Sequence, residues 1–294
     1  MPISRTKWSG KQKNMAIRPL KEVLSDALRN PTADAYRRDV YYLAQKIFGL
    51  TLNDIYLKGE ISVEDSLFLK ALDRYEKGEP LYYILGSAPF LGRMFSVDRR
   101  VLIPRNETEE LVVEAGEAIR KAKMKNPDIV DVGTGSGCIA VTLSLEFPDA
   151  HIDATDLSSE ALTLAKENND RLGGKVDFYR SDVLEEVIRR KKKYDVLISN
   201  PPYIAPGSFV AESVRDYEPE IALFAEDKGL AVYRKIFAQM PEAMKDNAMA
   251  FFEISPEQQE DLTDIVRNAL PDYTYSFKRD INGYTRFLIV KRKG

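Results

Sequence analysis

The 294-residue chain is 44% hydrophobic and 30% charged with a formal net charge of −3, the balance of a globular protein long enough for two domains. That charge gives no global electrostatic footprint for nucleic acid, and no apolar run reaches the length of a membrane span. One cysteine (Cys138) and one histidine (His151) argue against an intrachain disulfide, a cysteine-cluster zinc site, a His-rich metal site and histidine-based hydrolysis, so no metal and a reducing cytoplasm are expected.

Residues 1–14, basic at Arg5, Lys7, Lys11 and Lys13, read as a disordered leader without the apolar core of a signal peptide, with Met15 as a candidate initiator. Residues 15–85 carry a helical pattern. Tyr36, Val40, Leu43 and Ile47 recur at helical spacing, and Gly49 ends that helix. Ser62-Val63-Glu64-Asp65 resembles a capping box before Leu67, Phe68, Ala71, Leu72 and Tyr75, and Gly78 and Pro80 close the segment. A bundle of about four short helices is expected. Over residues 86–104 the period changes to two, which predicts a β-hairpin around Leu91-Gly92-Arg93 as a linker. Asn106-Glu107-Thr108-Glu109 reads as a second capping box, continued by Leu111, Val112, Ala115 and Ile119.

From Asp128 strands and helices alternate, the signature of an α/β fold with a parallel sheet covered on both faces. Strands are predicted at 128–132, 151–156, 175–180, 194–199 and 248–254, and helices at 137–147, 158–172, 183–192, 229–246 and 256–269. Tyr273–Lys278 and Arg286–Lys291 are two further strands joined by Asp280-Ile281-Asn282-Gly283 with no helix between them. That hairpin inserts an antiparallel last strand into the sheet.

Asp131-Val132-Gly133-Thr134-Gly135-Ser136-Gly137 follows the first of these strands and opens a helix. Its glycines permit a tight turn and let a ligand lie against backbone N–H groups. The spacing differs from the dinucleotide pattern, and no Lys-Ser/Thr follows as in a P-loop. Asp156 ends the second strand where such sheets place an acid for two ribose hydroxyls, although helix capping is a competing role. Asp182 and Val183 follow the third strand and suit the amino group and edge of an adenine; capping explains Asp182 nearly as well.

Asn200-Pro201-Pro202-Tyr203 follows the fourth strand. Two prolines remove two N–H donors and keep both carbonyls, leaving a stiff patch rich in acceptors. A planar NH2 group fits there, held by the Asn200 side-chain oxygen and the Pro201 carbonyl with its face on Tyr203. A Pro-rich turn that merely ends a strand is the plainer alternative. Arg189-Arg190-Lys191-Lys192-Lys193 reads as a solvated helix end, Cys138 as a small buried residue, and Glu253 lies on the same rim with its role open.

Taken together, the glycine loop, the strand-end acids and Asn-Pro-Pro-Tyr resemble the class I S-adenosylmethionine-dependent methyltransferases that modify planar NH2 groups. Gly78–Gly86, Val101–Glu109 and Val214–Pro219 narrow the resemblance to the peptide-chain-release-factor N5-glutamine methyltransferases (PrmC, also called HemK), over about Ile17 to Lys293. Asn106 departs from the proline usual in that family. The resemblance implies a Rossmann-like methyltransferase domain over 105–294 and a small all-α N-terminal domain that recognises the substrate protein. It implies S-adenosylmethionine as cofactor, lined by Asp131, Gly133 to Gly137, Asp156, Asp182, Val183 and Asn200. Asn200, Pro201, Pro202 and Tyr203 would hold the glutamine of a Gly-Gly-Gln segment. The partner is then a release factor rather than nucleic acid or membrane, and a cytoplasmic monomer is expected. Two rivals stay open at this point: an amino-group methyltransferase acting on N6 of adenine or N2 of guanine in DNA or RNA, and a cofactor-binding module without activity.

Overall fold

The computed structural model describes residues 17–29, 34–57 and 61–293; the leader and Met15 fall outside them. The chain divides into two compact units, one through Leu85 and one from Gly86.

In the smaller unit β1 (Ile17–Pro19) leads into α1 (Leu20–Ala27), α2 (Asp34–Phe48), α3 (Leu52–Leu57), β2 (Ser62–Glu64), α4 (Ser66–Glu76) and α5 (Leu81–Leu85). Val40, Leu43 and Ala44 of α2 pack with Val23 of α1 and with Phe68 and Leu72 of α4, as helical spacing requires. The capping box expected at Ser62 is absent. Ser62–Glu64 is extended and pairs antiparallel with β1, and Asp65 precedes α4 without a side-chain cap bond. The extended backbone buries the branched Val63 side chain, and Asp65 meets Arg18 at 3.3 Å instead.

The larger unit opens with β3 (Ser87–Phe90) and β4 (Arg93–Ser96), turning at Leu91 and Gly92, both at positive φ as a two-residue hairpin demands. Phe90 and Phe95 meet edge to face at 6.0 Å within this unit's core. Next come α6 (Asn106–Lys121), β5 (Asp128–Val132), α7 (Cys138–Glu146), β6 (His151–Asp156), α8 (Ser159–Leu172), β7 (Val176–Arg180), α9 (Glu185–Arg189) and β8 (Tyr194–Ser199). Three single-turn helices follow, α10 (Glu212–Arg215), α11 (Glu220–Leu223) and α12 (Glu226–Gly229), before α13 (Ala231–Ala243), β9 (Met244–Glu253), α14 (Gln259–Ala269), β10 (Tyr273–Arg279) and β11 (Thr285–Arg292).

The sheet runs β10-β11-β9-β8-β5-β6-β7. β5 to β9 are parallel, and β11 is antiparallel to both β9 and β10. This is the α/β sheet with an inserted antiparallel last strand that the sequence predicts. Tyr233, Phe237, Leu262 and Val266 cover one face; Leu111, Ala115, Ile139 and Leu143 cover the other. Among the boundaries that differ from expectation, α13 ends at Ala243 rather than 246 and α9 at Arg189 rather than 192. β9 begins at Met244, four residues early, because Met244 is buried and pairs with Tyr194, with a register shift beyond it. α9 begins only at Glu185, because Val183 adopts a left-handed backbone at φ 47.

The capping box expected at Asn106 is also absent: Arg105 is the N-cap residue and its side chain makes no cap bond. Tertiary partners claim the first turn, with Glu109 Oε1 accepting from the Leu91 N–H at 2.6 Å and Thr108 turned toward Glu253. Among the described residues no helix is long and apolar enough to cross a membrane.

Candidate functional site

Strand order reverses direction between β5 and β8, and open α/β sheets bind ligands at the carboxyl ends of strands beside such a reversal. There the larger unit has a cleft of about 1050 Å3, counting its open mouth, lined by residues that include Gly133, Asp156, Val183 and Asn200. Ser199 Oγ donates to the Val132 carbonyl at 2.6 Å and fastens the two strand ends together.

The glycine loop is held before any ligand arrives. The N–H groups of Gly133 and Thr134 both donate to the Thr155 carbonyl, at 2.9 and 3.0 Å. Gly135 N–H donates to Asp156 Oδ2 at 2.9 Å, and Ser158 N–H to Oδ1 at 2.8 Å. Gly133 and Gly135 have φ of +76 and +54 with open space where a Cβ would stand, so backbone conformation is what demands glycine there. At Gly137 a Cβ would lie 3.2 Å from that of Ala165, so this glycine serves the approach of α7 to α8.

Thr134, Gly135 and Ser136 line the cleft, whereas Asp131 and Gly137 lie outside its wall. Asp131 is fully buried behind the loop. Its Oδ2 accepts from Thr134 Oγ1 at 2.6 Å and from Ala140 N–H at 3.2 Å, and Oδ1 has no hydrogen-bond partner among the described residues. Burial pushes this carboxyl up to about 7, against the two bonds that favour its charge. Asp156 is raised by burial too, while its N–H contacts pull the other way.

Asp182 and Val183 form the third wall. Asp182 Oδ2 pairs with Lys235 Nζ at 2.6 Å. A branched residue in the left-handed region is strained, and such strain persists only where the surroundings enforce it. The Leu184 N–H, held at 2.9 Å by Gln239 Oε1, is part of that enforcement.

Asn200, Pro201 and Pro202 line the fourth wall, with Tyr203 just beyond it. Asn200 Nδ2 donates to Thr108 Oγ1 at 2.9 Å. Thr108 Oγ1 donates to Glu253 Oε2 at 2.7 Å, and the Tyr203 hydroxyl reaches Glu253 Oε1 at 3.3 Å. A hydroxyl has one proton; when it goes to the carboxylate, the oxygen must accept from the Asn200 NH2 end. The Asn200 carbonyl end is then left as an acceptor beside two residues that have no N–H of their own. Glu253 is fully buried and pushed up to about 7, burial outweighing Thr108, Arg286 and Tyr203.

The runs Val101–Glu109 and Val214–Pro219 meet over the cleft. Buried Glu218 accepts from Ile103 N–H at 3.1 Å and from Arg105 Nη2 at 2.5 Å. Sequence reasoning placed Glu253 on this rim with its role open and missed Thr108. An acid ending the apolar strand Ala248–Phe252 on the same rim was the available signal for Glu253; Thr108 had none beyond its place in a helix's first turn.

Residues 21–86 match the PrmC N-terminal domain and residues 115–216 the Methyltransferase small domain. A release factor glutamine methyltransferase of Staphylococcus aureus is 35% identical, over 92% of this chain and 98% of its own. The chain belongs to the release factor glutamine methyltransferase family. Another member, from Bacillus subtilis, is 40% identical over 76% of this chain and 80% of its own. A methyltransferase structure from Pyrococcus furiosus, at 15% identity, covers 75% of this chain and 99% of that one with a TM-score of 0.53, a likeness of fold. Membership in the release factor glutamine methyltransferase family accords with an α/β methyltransferase unit preceded by a small helical unit.

Proposed function

We propose that this protein methylates the side-chain amide nitrogen (N5) of the glutamine in the Gly-Gly-Gln segment of peptide chain release factors, with S-adenosylmethionine as methyl donor. The observation that carries the reading is the orientation of Asn200, whose NH2 end is spent on Thr108. That leaves its carbonyl oxygen, together with the Pro201 carbonyl, for the two N–H groups of a substrate amide. Tyr203 covers the plane of that amide.

The cleft suits the cofactor. Its wall includes a glycine turn with open space above Gly133 and Gly135 and Thr155, whose own hydroxyl is buried without a hydrogen-bond partner among the described residues. Gly133 to Ser136 would hold the methionine portion, Asp156 the ribose hydroxyls, and Asp182 with Val183 the adenine edge; Asp131 and Gly137 act behind them by shaping the loop. When bound, S-adenosylmethionine supplies a methyl group activated by a sulfonium.

An amide nitrogen is a weak nucleophile because its lone pair is delocalised, so alignment is the main contribution left to the protein. Asn200 and Pro201 fix both amide protons and turn the nitrogen's out-of-plane lobe toward the cleft. No strong base is needed before transfer, since the methylated nitrogen sheds its extra proton readily. The smaller unit then recognises the release factor, and the protein works as a cytoplasmic monomer without direct contact to nucleic acid.

The test is a labelled-methyl transfer assay with purified release factor, its Gln→Ala variant in the Gly-Gly-Gln segment, and bulk nucleic acid. Label on the unaltered factor alone is expected; label only on nucleic acid, the aminopurine reading, overturns the substrate. Asn200→Ala is expected to abolish turnover while cofactor binding is largely retained.

A further inference from the structure

We infer that Thr108 and Glu253 are positioning residues that set which end of the Asn200 carboxamide faces the substrate, and that protonation of Glu253 reverses this setting. The inference rests on the proposed role of Asn200 as acceptor for the substrate amide.

A carboxamide is nearly symmetric in shape, with a donor at one end and an acceptor at the other. Something outside Asn200 must choose between its two orientations. The contact from its Nδ2 to Thr108 Oγ1 at 2.9 Å makes that choice, and a hydroxyl can be turned either way. The next link decides, because Thr108 Oγ1 and Glu253 Oε2 are 2.7 Å apart.

With Glu253 ionised, its oxygen can only accept. The Thr108 proton points at it, Oγ1 accepts from Asn200 Nδ2, and the Asn200 oxygen faces the cleft. With Glu253 neutral, its proton binds Thr108 Oγ1, the shorter of its two side-chain contacts; the other, with Tyr203, is 3.3 Å. The Thr108 proton then points toward Asn200, whose carboxamide turns over to receive it. An NH2 group now faces the substrate NH2, donor against donor.

The surroundings place this proton exchange in a useful range. Arg286 from β11, Thr108 from α6 and the Tyr203 hydroxyl favour the charged form, while Glu107 on α6 and full burial oppose it. Tyr233 from α13 occupies the Glu253 backbone carbonyl at 2.5 Å rather than the carboxyl. Burial dominates, and the carboxyl titrates at about 7. The same chain then runs at mildly basic pH and idles at mildly acidic pH.

The experiment follows kcat and KM for purified release factor over about two pH units either side of neutrality. The unaltered protein should show kcat rising through one ionisation near 7 with little change in KM. Thr108→Val should lower kcat by roughly 10- to 100-fold, the loss of one orienting hydrogen bond, and remove the pH limb; Thr108→Ser should restore both. Glu253→Gln should remove the limb. A second readout needs no turnover: in apoprotein labelled with 15N-asparagine, the Asn200 NH2 signals, identified by their loss in Asn200→Asp, should titrate near 7 and be flat in Glu253→Gln. Thr108→Val with unchanged kcat and pH profile, or Asn200 signals that do not move with pH, overturns the relay. Absence of label on the glutamine of the factor overturns the proposed function instead, and the titration still reports on the relay.

Discussion

Gly229 lies directly beneath Tyr203: a Cβ on Gly229 would stand 2.0 Å from the Tyr203 carbonyl oxygen. Gln258 Nε2 donates to the same oxygen at 3.0 Å. Asp227, Lys228 and Gly229 all take positive φ to bring the chain there, so backbone strain is held beside the two prolines as well as at Val183 in the cleft wall.

Gly229→Ala should therefore cost about 2–4 kcal/mol, from a backbone collision and an unfavourable φ. It should also depress methyl transfer beyond what the lost folded fraction explains, because the carbonyls of Asn200-Pro201-Pro202 move with Tyr203. Thermal melts paired with the transfer assay check this. A melting temperature within a degree or so of the parent would contradict the close approach.

Asp131 should give the fold a pH dependence of recognisable sign. Its folded value of about 7 lies above the ordinary 3.8, so its contribution to folding is complete below about pH 4 and is lost as pH rises through 7. The slope is at most about 1.4 kcal/mol per pH unit for one proton. Asp131→Asn removes the titration, so melting temperatures of parent and variant should diverge across that window, the parent falling faster.

Ser158 Oγ accepts from Ala161 N–H at 3.1 Å and caps α8. Ser158→Ala should cost about 1 kcal/mol, read as a shifted denaturant midpoint with unchanged slope. Ser158→Asp or Ser158→Asn should recover most of it.

Cys138 is buried, and burial pushes its thiol up to about 12. Thiol reagents should label the native protein at mildly basic pH orders of magnitude more slowly than the protein in denaturant. Rapid native labelling would mean that the reagent reaches Cys138 through the cleft it borders or through opening of the first turn of α7.

The sheet was legible in the chain because strand and helix patterns alternate from Asp128 onward, with apolar runs at the central strands β5 and β8, and because the glycine loop and Asn-Pro-Pro-Tyr mark two strand ends on one rim. Asp156 and Asn200 could be placed on that rim from spacing alone. Asp131 could not be separated from the cleft-lining residues, since spacing does not tell which side of a turn a side chain occupies. The two capping boxes failed for one reason: a first-turn side chain bonds to the best partner in three dimensions. For Glu109 that partner is the Leu91 N–H, with Thr108 beside it drawn to Glu253, 145 residues away, and for the Ser62 segment it is β1, whose pairing lets Val63 reach the core. The chain of bonds from Asn200 to Glu253 was invisible for the same reason.

The insertion of β11 between β9 and β10 has a consequence for biogenesis. β9 pairs with β8 along one edge and with β11 along the other. As the chain leaves the ribosome, Ala250, Phe251 and Phe252 emerge well ahead of Leu288, Ile289 and Val290, their partners in register. In that interval an apolar strand edge with free N–H and C=O groups sits on a nearly finished sheet, open to pairing with another nascent chain.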